Sequence, residues 1–102
     1  MAETKIVITS RAQTDIAECA SFVLNVSKDA AQKLSDNIYS SIESLGLFPE
    51  KNPIFEMNQS FPLTIRKQIV DKRYLILYAV EKNEIVIYRV LDSRRKFESL
   101  IW

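Results

Sequence analysis

The sequence predicts one α+β domain in the order β-α-α-β-β-β, with an antiparallel helical hairpin packed on a small, mainly antiparallel sheet. Three observations carry this prediction: a short β-branched segment at the start, two segments of helical apolar periodicity, and three β-rich segments near the end. A chain of 102 residues is long enough to bury a core without disulfides or a structural metal. We therefore expect residues 1–102 to form a single domain.

The first strand and the first helix are predicted from adjoining segments. KIVIT, residues 5–9, is short and β-branched, and Ser10 directly after it is suited to cap a helix. In this helix, apolar residues recur at steps of three and four, which predicts one buried stripe and a polar face in water. The predicted stripe contains Ile16, Cys19, Ala20, Val23 and Leu24, and the predicted polar face contains Arg11, Asp15 and Glu18.

The second helix is predicted to begin after Ser27 as its N-cap. Asp29 then falls in the first turn, where the helix dipole favours an anion. Gly46, the only glycine, suits the C-terminal turn. The apolar stripe of this helix is predicted to contain Ala31, Leu34, Ile38, Ile42 and Leu45.

The second half of the chain is predicted to be an irregular loop followed by a β-meander. Residues 48–62 contain all three prolines and no sustained periodicity. LTIRKQIV, RYLILYAV and EIVIYRVL then follow with short breaks, as in tight antiparallel hairpins. The middle segment is apolar on both faces, which predicts a central strand. In the last segment, simple alternation places Ile85, Ile87, Arg89 and Leu91 on one face.

Charge is distributed unevenly along the chain. Residues 1–62 contain five basic and eight acidic residues, whereas residues 63–102 contain nine basic and five acidic residues. The second half therefore carries a formal charge of +4, and most of the excess lies on or beside the predicted meander. A basic surface of this kind indicates an acidic partner or nucleic acid.

The composition excludes several kinds of chemistry. Without histidine, the chain has no Ser-His or Cys-His nucleophile pair, and most kinds of zinc site are excluded. It also lacks a Gly-rich phosphate loop, CxxC, HExxH and Gly-x-Ser-x-Gly, so we expect no cofactor and no metal. The single cysteine, Cys19, is interpreted as a small buried apolar residue, with a reactive thiol as the alternative. No segment has the apolar length of a signal peptide or a membrane span, so a cytoplasmic location is expected.

Arg89 is the anomaly of the last strand, because an unpaired buried charge costs several kcal/mol. One alternative is a structural ion pair with Asp92, Asp71 or Glu81, or a side chain that reaches water past the sheet edge. The other is a sheet face that binds phosphate or carboxylate through arginine. Its further members would be Arg66, Lys67 or Gln68, Arg73, Arg94 and Arg95.

The order of three stretches resembles a known family. These stretches are KIVITSRAQTDI, the helical region ending in IESLGLFPEKNP, and IRKQIVDKRYLILYAVEKNEIVIYRVLDSRRKFESLI. The most specific parts are Phe-Pro-Glu after the second helix, the basic strand before YLILYAV, and YRVL followed by two arginines. Together they are similar to the RelE/ParE toxins of bacterial toxin-antitoxin pairs. The resemblance implies the fold predicted above and a cognate antitoxin that wraps the toxin and silences it.

The resemblance leaves two molecular targets. Members resembling RelE cut messenger RNA in the ribosomal A site, whereas members resembling ParE poison DNA gyrase. Arg95 falls where the nuclease branch has a phosphate-stabilising arginine, and Arg66 falls where it has a lysine. Gln68, Leu75 and Ile101 stand where the nuclease branch has a lysine, an arginine and a tyrosine. We therefore expect a growth-inhibiting toxin directed at gyrase.

The expected partners are the cognate antitoxin and either gyrase or the ribosome with its messenger RNA, and no membrane. Residues predicted to bind the target or the antitoxin are Arg66, Arg73, Arg89, Arg94, Arg95, Lys96 and Trp102. The first alternative is a metal-independent endonuclease. Its catalytic residues would be Arg66, Lys67, Arg89 and Arg95, with Tyr74 or Tyr88 as proton donor. The second alternative is an inactive relic that only binds its antitoxin and an operator.

Overall fold

The computed structural model describes residues 4–56 and 62–94 and has the predicted order of elements. The first half contains the strand β1 and two helices, and the second half contains three strands. The elements are β1 (Lys5–Ile8), α1 (Ser10–Leu24), α2 (Lys28–Ser44), β2 (Arg66–Val70), β3 (Tyr74–Glu81) and β4 (Glu84–Asp92). The predicted β-α-α-β-β-β fold is thereby confirmed. Within the described residues, neither helix is long and apolar enough to cross a membrane.

The four strands form one sheet in the order β1-β4-β3-β2. The meander of β2, β3 and β4 is antiparallel, and β1 pairs with β4 in parallel. A parallel neighbour needs a long crossover connection, and the connection from β1 to β4 contains both helices and the strands β2 and β3. The sheet is therefore mixed, with antiparallel pairing in two of its three strand pairs.

The start of each helix is capped by a side-chain hydroxyl. Ser27 caps α2 as predicted, since its Oγ accepts the Ala30 N–H at 3.2 Å. At α1 the predicted cap is wrong by one residue: Oγ1 of Thr9 accepts the Ala12 N–H at 3.1 Å, and Ser10 is the first helical residue. Thr9 has the extended backbone that an N-cap requires, because it directly continues β1.

The helices pack on one face of the sheet, called here the helix-side face. The predicted stripe of α2 is confirmed, because all five of its residues are buried. The stripe of α1 is only partly correct. Leu24 is 53 % exposed, and Asp15, which was expected in water, is 4 % exposed. The sheet residues of this core are Val70, Tyr74, Ile76, Tyr78, Ile85, Ile87 and Val90.

The opposite sheet face, called here the second face, carries a smaller apolar cluster. It contains Ile65, Leu75, Leu77 and Ala79. β3 is thus apolar on both faces and central in the sheet, as predicted.

A β-bulge in β4 changes which residues share a face. Leu77 stands opposite Arg89, but the next residue, Tyr78, stands opposite Ile87, so Tyr88 is extra. Beyond the bulge, Val90 packs in the helix-side core. The predicted face of Ile85, Ile87, Arg89 and Leu91 is therefore wrong after Ile87, because one inserted residue reverses a two-residue alternation.

Candidate functional site

Arg89 forms a buried ion pair with Asp15 of α1. Its Nε donates to Asp15 Oδ2 at 2.7 Å and its Nη2 donates to Oδ1 at 3.1 Å. The two side chains are 8 % and 5 % exposed. This bidentate contact joins α1 to β4, although the two residues are 74 positions apart in the sequence. The partner of the Arg89 guanidinium is therefore a carboxylate of the protein itself.

The three carboxylates that the sequence offered as partners of Arg89 bind other groups. Asp92 binds two arginines near the end of β4. Asp71 accepts from the Asn37 amide at 3.2 Å, and Glu81 accepts from the Tyr88 hydroxyl at 2.7 Å. Burial, the hydrogen bond to Glu81 and the charge of Glu81 raise the pKa of Tyr88 to about 12.

Asp15 also completes the hydrogen bonding of β4 where β1 ends. The last residue of β1, Ile8, pairs with Ile87, and beyond that point no strand among residues 4–56 and 62–94 pairs with this edge of β4. Oδ2 of Asp15 accepts the Val90 N–H at 3.0 Å, and Oγ1 of Thr9 donates to the Tyr88 carbonyl at 3.3 Å. Side chains of the β1–α1 region thereby replace the missing strand, as buried backbone polar groups require.

Arg66 and Gln68 hold the loop after α2 rather than facing an open surface. The Arg66 Nη1 donates to the Asn52 carbonyl at 2.7 Å, and Oε1 of Gln68 accepts from the Asn52 amide at 2.6 Å. The same amide donates to the Tyr78 hydroxyl at 3.0 Å, and this hydroxyl donates to the Pro49 carbonyl at 2.6 Å. Asn52 is thus the centre of a polar network, and burial raises the pKa of Tyr78.

The candidate nuclease residues that the structure describes, Arg66, Lys67 and Arg89, do not converge on one surface. Arg66 pairs with Tyr78 on the helix-side face, whereas Lys67 pairs with Leu77 on the second face. Leu75, the counterpart of a nuclease arginine, also lies on the second face. The guanidinium groups of Arg66 and Arg89 bind Asn52 and Asp15. Arg95 lies outside the described residues, as do Lys96, Ile101 and Trp102.

A groove of about 390 Å³ lies between α1 and the ends of β3 and β4. Cys19 and Phe22 form its α1 side, and Tyr74 and Asp92 stand opposite each other on the neighbouring strands. Arg73 and Arg94 complete the lining. The groove therefore has apolar walls and two guanidinium groups, and two of the seven predicted binding residues meet there.

Asp92 holds the two arginines of the groove. Its Oδ2 accepts from the Arg73 Nη2 at 2.9 Å and from the Arg94 Nη2 at 3.3 Å, while its Oδ1 accepts the Arg94 N–H at 3.0 Å. The Arg73 guanidinium also lies 5.1 Å from the centre of the Tyr74 ring. Burial raises the pKa of Tyr74, although the charge of Arg73 acts in the opposite direction. Two positive charges facing one carboxylate leave the groove with a net positive charge.

Two features of the groove were missed by the sequence analysis. Phe22 is 59 % exposed at its rim, beside the stripe of α1 rather than in it. The available signal was an aromatic residue of α1 that falls outside the predicted apolar stripe. The clustering of Arg73, Asp92 and Arg94 gave no such signal, because it depends on the pairing of β3 with β4. Among residues 4–56 and 62–94, His, Cys, Asp and Glu form no group of three or more that could hold a metal ion.

The fold and the placement of these residues define a small α+β domain with a basic groove beside α1. The model of the family described as "ParE toxin of type II toxin-antitoxin system, parDE" matches residues 6–97. The chain belongs to this family of toxins.

Solved structures of toxin-antitoxin systems share the fold. A chromosomal ParDE system from P. aeruginosa matches with a TM-score of 0.70 and 16 % identity, over 88 % of this chain and 96 % of the other. The RelBE2 toxin-antitoxin complex from Mycobacterium tuberculosis matches with a TM-score of 0.58 and 14 % identity, over 89 % of this chain and 99 % of the other. No sequence among the curated proteins matches significantly.

Proposed function

We propose that this protein inhibits DNA gyrase and is neutralised by a cognate antitoxin. The observation that carries the proposal is the match to the ParE toxin family over residues 6–97. An inhibitor of this kind needs a surface that binds its target, and it needs no acid, base or nucleophile positioned for a reaction. Residues 4–56 and 62–94 fit this requirement, since none of their clusters described above places a proton donor and an acceptor around an open phosphate site.

The placement of the arginines favours gyrase inhibition over RNA cleavage. A nuclease needs cationic groups that meet the developing charge on one phosphate. Arg66 and Arg89 are instead bound to protein oxygens on different elements. At the position of a further nuclease arginine, Leu75 packs in the apolar cluster of the second face.

The basic end of β4 is the proposed contact with gyrase. Arg94 is 61 % exposed in its side chain, and the sequence continues with Arg95 and Lys96 and ends at Trp102. Arginine and aromatic residues are enriched in protein interfaces, where they provide both charge and apolar area. The antitoxin is proposed as the second partner because the similar structures come from ParDE and RelBE toxin-antitoxin systems.

A supercoiling assay with purified gyrase and relaxed plasmid tests the proposed target. We expect dose-dependent loss of supercoiling and accumulation of cleaved DNA. Arg94→Glu should weaken this inhibition. Lys33→Glu is the control and should not weaken it, because it makes the same charge reversal at an exposed position of α2, away from β4. Thermal melting of both variants checks that each remains folded.

The same protein preparation should leave translated messenger RNA intact in a cell-free translation reaction. New RNA ends that depend on translation would refute gyrase as the target and establish an endonuclease. Induced expression in a host without the antitoxin should stop growth. If growth continues, the chain is an inactive relic.

A further inference from the structure

We propose that the groove lined by Arg73 and Arg94 binds an acidic segment of the antitoxin, with a carboxylate taking the place of Asp92 on the two arginines. The identity of this partner rests on the proposed function. The groove is lined by Cys19, Phe22, Arg73, Tyr74, Asp92 and Arg94. Its chemistry selects a carboxylate flanked by apolar side chains.

The arginines have unused capacity to bind a second carboxylate. Each guanidinium carries five N–H donors in a planar fork. Arg73 uses its Nε and Nη2 on one oxygen of Asp92, at 3.2 and 2.9 Å. The side-chain bonds of Arg94 to Asp92 are longer, at 3.4 and 3.3 Å, and this side chain is 61 % exposed. Arg94 can therefore turn toward a ligand at little cost, because an exposed pair of this geometry contributes little stability.

The walls of the groove favour a peptide. Phe22 is 59 % exposed at the rim. An exposed aromatic side chain beside two guanidinium groups is typical of a protein-binding interface.

Asp92 acts in this proposal as an internal competitor. It neutralises the arginines when the antitoxin is absent and must be displaced when the carboxylate of the antitoxin binds. Removal of its charge should therefore strengthen binding, whereas removal of an arginine should weaken it. A purely structural role of the Arg73–Asp92–Arg94 cluster predicts no change in binding for either substitution.

The first test is a titration of the isotope-labelled protein, followed by NMR, with the blocked peptide N-acetyl-Leu-Glu-Phe amide. The Gln analogue is the matched control ligand. We expect saturable shifts of the Cys19, Phe22, Arg73 and Tyr74 amides with a dissociation constant on the order of 1 mM, which suits a ligand with few contacts. The Gln analogue should bind at least about fivefold more weakly.

Four variants make the test specific. Arg94→Glu and Arg73→Gln should each weaken peptide binding about fivefold or more, and Asp92→Asn should strengthen it by a similar factor. Lys33→Glu should leave it unchanged, because Lys33 lies outside the groove lining. Absence of shifts at the groove, equal binding of the Gln peptide, or an unchanged affinity in Asp92→Asn would each overturn the proposal. Stronger shifts at the same amides with a short single-stranded oligonucleotide would overturn it in favour of nucleic acid.

A growth assay separates failure of the groove from failure of the proposed function. Co-expression with the antitoxin should relieve growth arrest by the wild-type chain and by Lys33→Glu, and less so by Arg73→Gln, which keeps Arg94 of the proposed gyrase contact. If the wild-type chain does not arrest growth, the proposed function fails while the peptide titration still reports on the groove. If it arrests growth and the antitoxin neutralises all variants equally, the groove proposal fails alone.

Discussion

Substitution of Asp15 by Asn should destabilise the protein by about 3 kcal/mol, because it leaves the buried guanidinium of Arg89 without its carboxylate partner. Asn keeps an oxygen that can accept the Val90 N–H, so the change removes mainly the charge. The Asp15 and Arg89 side chains are 5 % and 8 % exposed, so solvent screens the pair weakly. For a chain of 102 residues, about 3 kcal/mol lowers the melting temperature by roughly 15 °C. Urea denaturation and calorimetry measure the two quantities.

A double-mutant cycle tests whether the pair itself carries this stability. Arg89→Met should also be destabilising, and the double variant Asp15→Asn/Arg89→Met should be more stable than the sum of the single changes predicts, by at least about 2 kcal/mol. Arg11→Met is the control: its Nε lies 3.9 Å from Asp15 Oδ1, but its side chain is 61 % exposed, so the expected change is within about 0.5 kcal/mol. A loss below about 1 kcal/mol in Asp15→Asn would refute the reasoning.

The same cycle decides between the two roles offered for Arg89. The double variant lacks the guanidinium but has no unpaired charge. If it is folded and still arrests growth, Arg89 is not required for contact with the target. If it is folded and inactive, Arg89 contacts the target, as one of the two interpretations of the sequence predicts.

Three further predictions follow from single contacts. Tyr78→Phe should cost about 1–3 kcal/mol in urea denaturation, since the Pro49 carbonyl loses its donor and the Asn52 amide loses an acceptor; an unchanged midpoint would argue against the network. Thr9→Ala should cost about 1–2 kcal/mol by the same measurement, whereas Ser10→Ala should cost less than about 0.5 kcal/mol, because Thr9 is the cap of α1; the reverse order would assign the cap to Ser10. Folding raises the pKa of Tyr88 from about 10 to about 12. The unfolded chain therefore loses the Tyr88 proton at a lower pH than the folded chain, and the free energy of unfolding should fall as the pH rises from about 10 to 12. Tyr88→Phe should remove this part of the pH dependence, and the ultraviolet absorbance of tyrosinate should show one late-titrating group fewer; an unchanged pH profile would contradict the raised pKa.

Features set by local periodicity were predictable from the sequence. The buried stripe of α2 and its cap at Ser27 depend only on residues within a few turns of each other. The central position of β3 follows from its apolar residues on both faces. The order of these elements led to the resemblance to the RelE/ParE toxins, and the family match over residues 6–97 confirms that resemblance.

The partners of the polar side chains were decided by the tertiary structure. Asp15 occupies a polar position by helical periodicity, but it is buried because β1 ends at Ile8 and leaves the Val90 N–H and Arg89 beside α1. The bulge at Tyr88 has no marker in the sequence, yet it reverses the faces of the last residues of β4. Residues far apart in sequence create both features.

The sequence by itself determined which elements form, because the apolar period of each segment selects helix or strand and selects the side that is buried. Only the tertiary structure decided which groups the arginine side chains bind. It binds Arg66 to the loop after α2 and Arg89 to α1, and it brings Arg73 and Arg94 together at the groove. The physical reason is that a buried or half-buried charge must bind a carboxylate or carbonyl group, because an unpaired charge is costly. The strand register and the placement of the helices determine which carboxylate or carbonyl lies within reach.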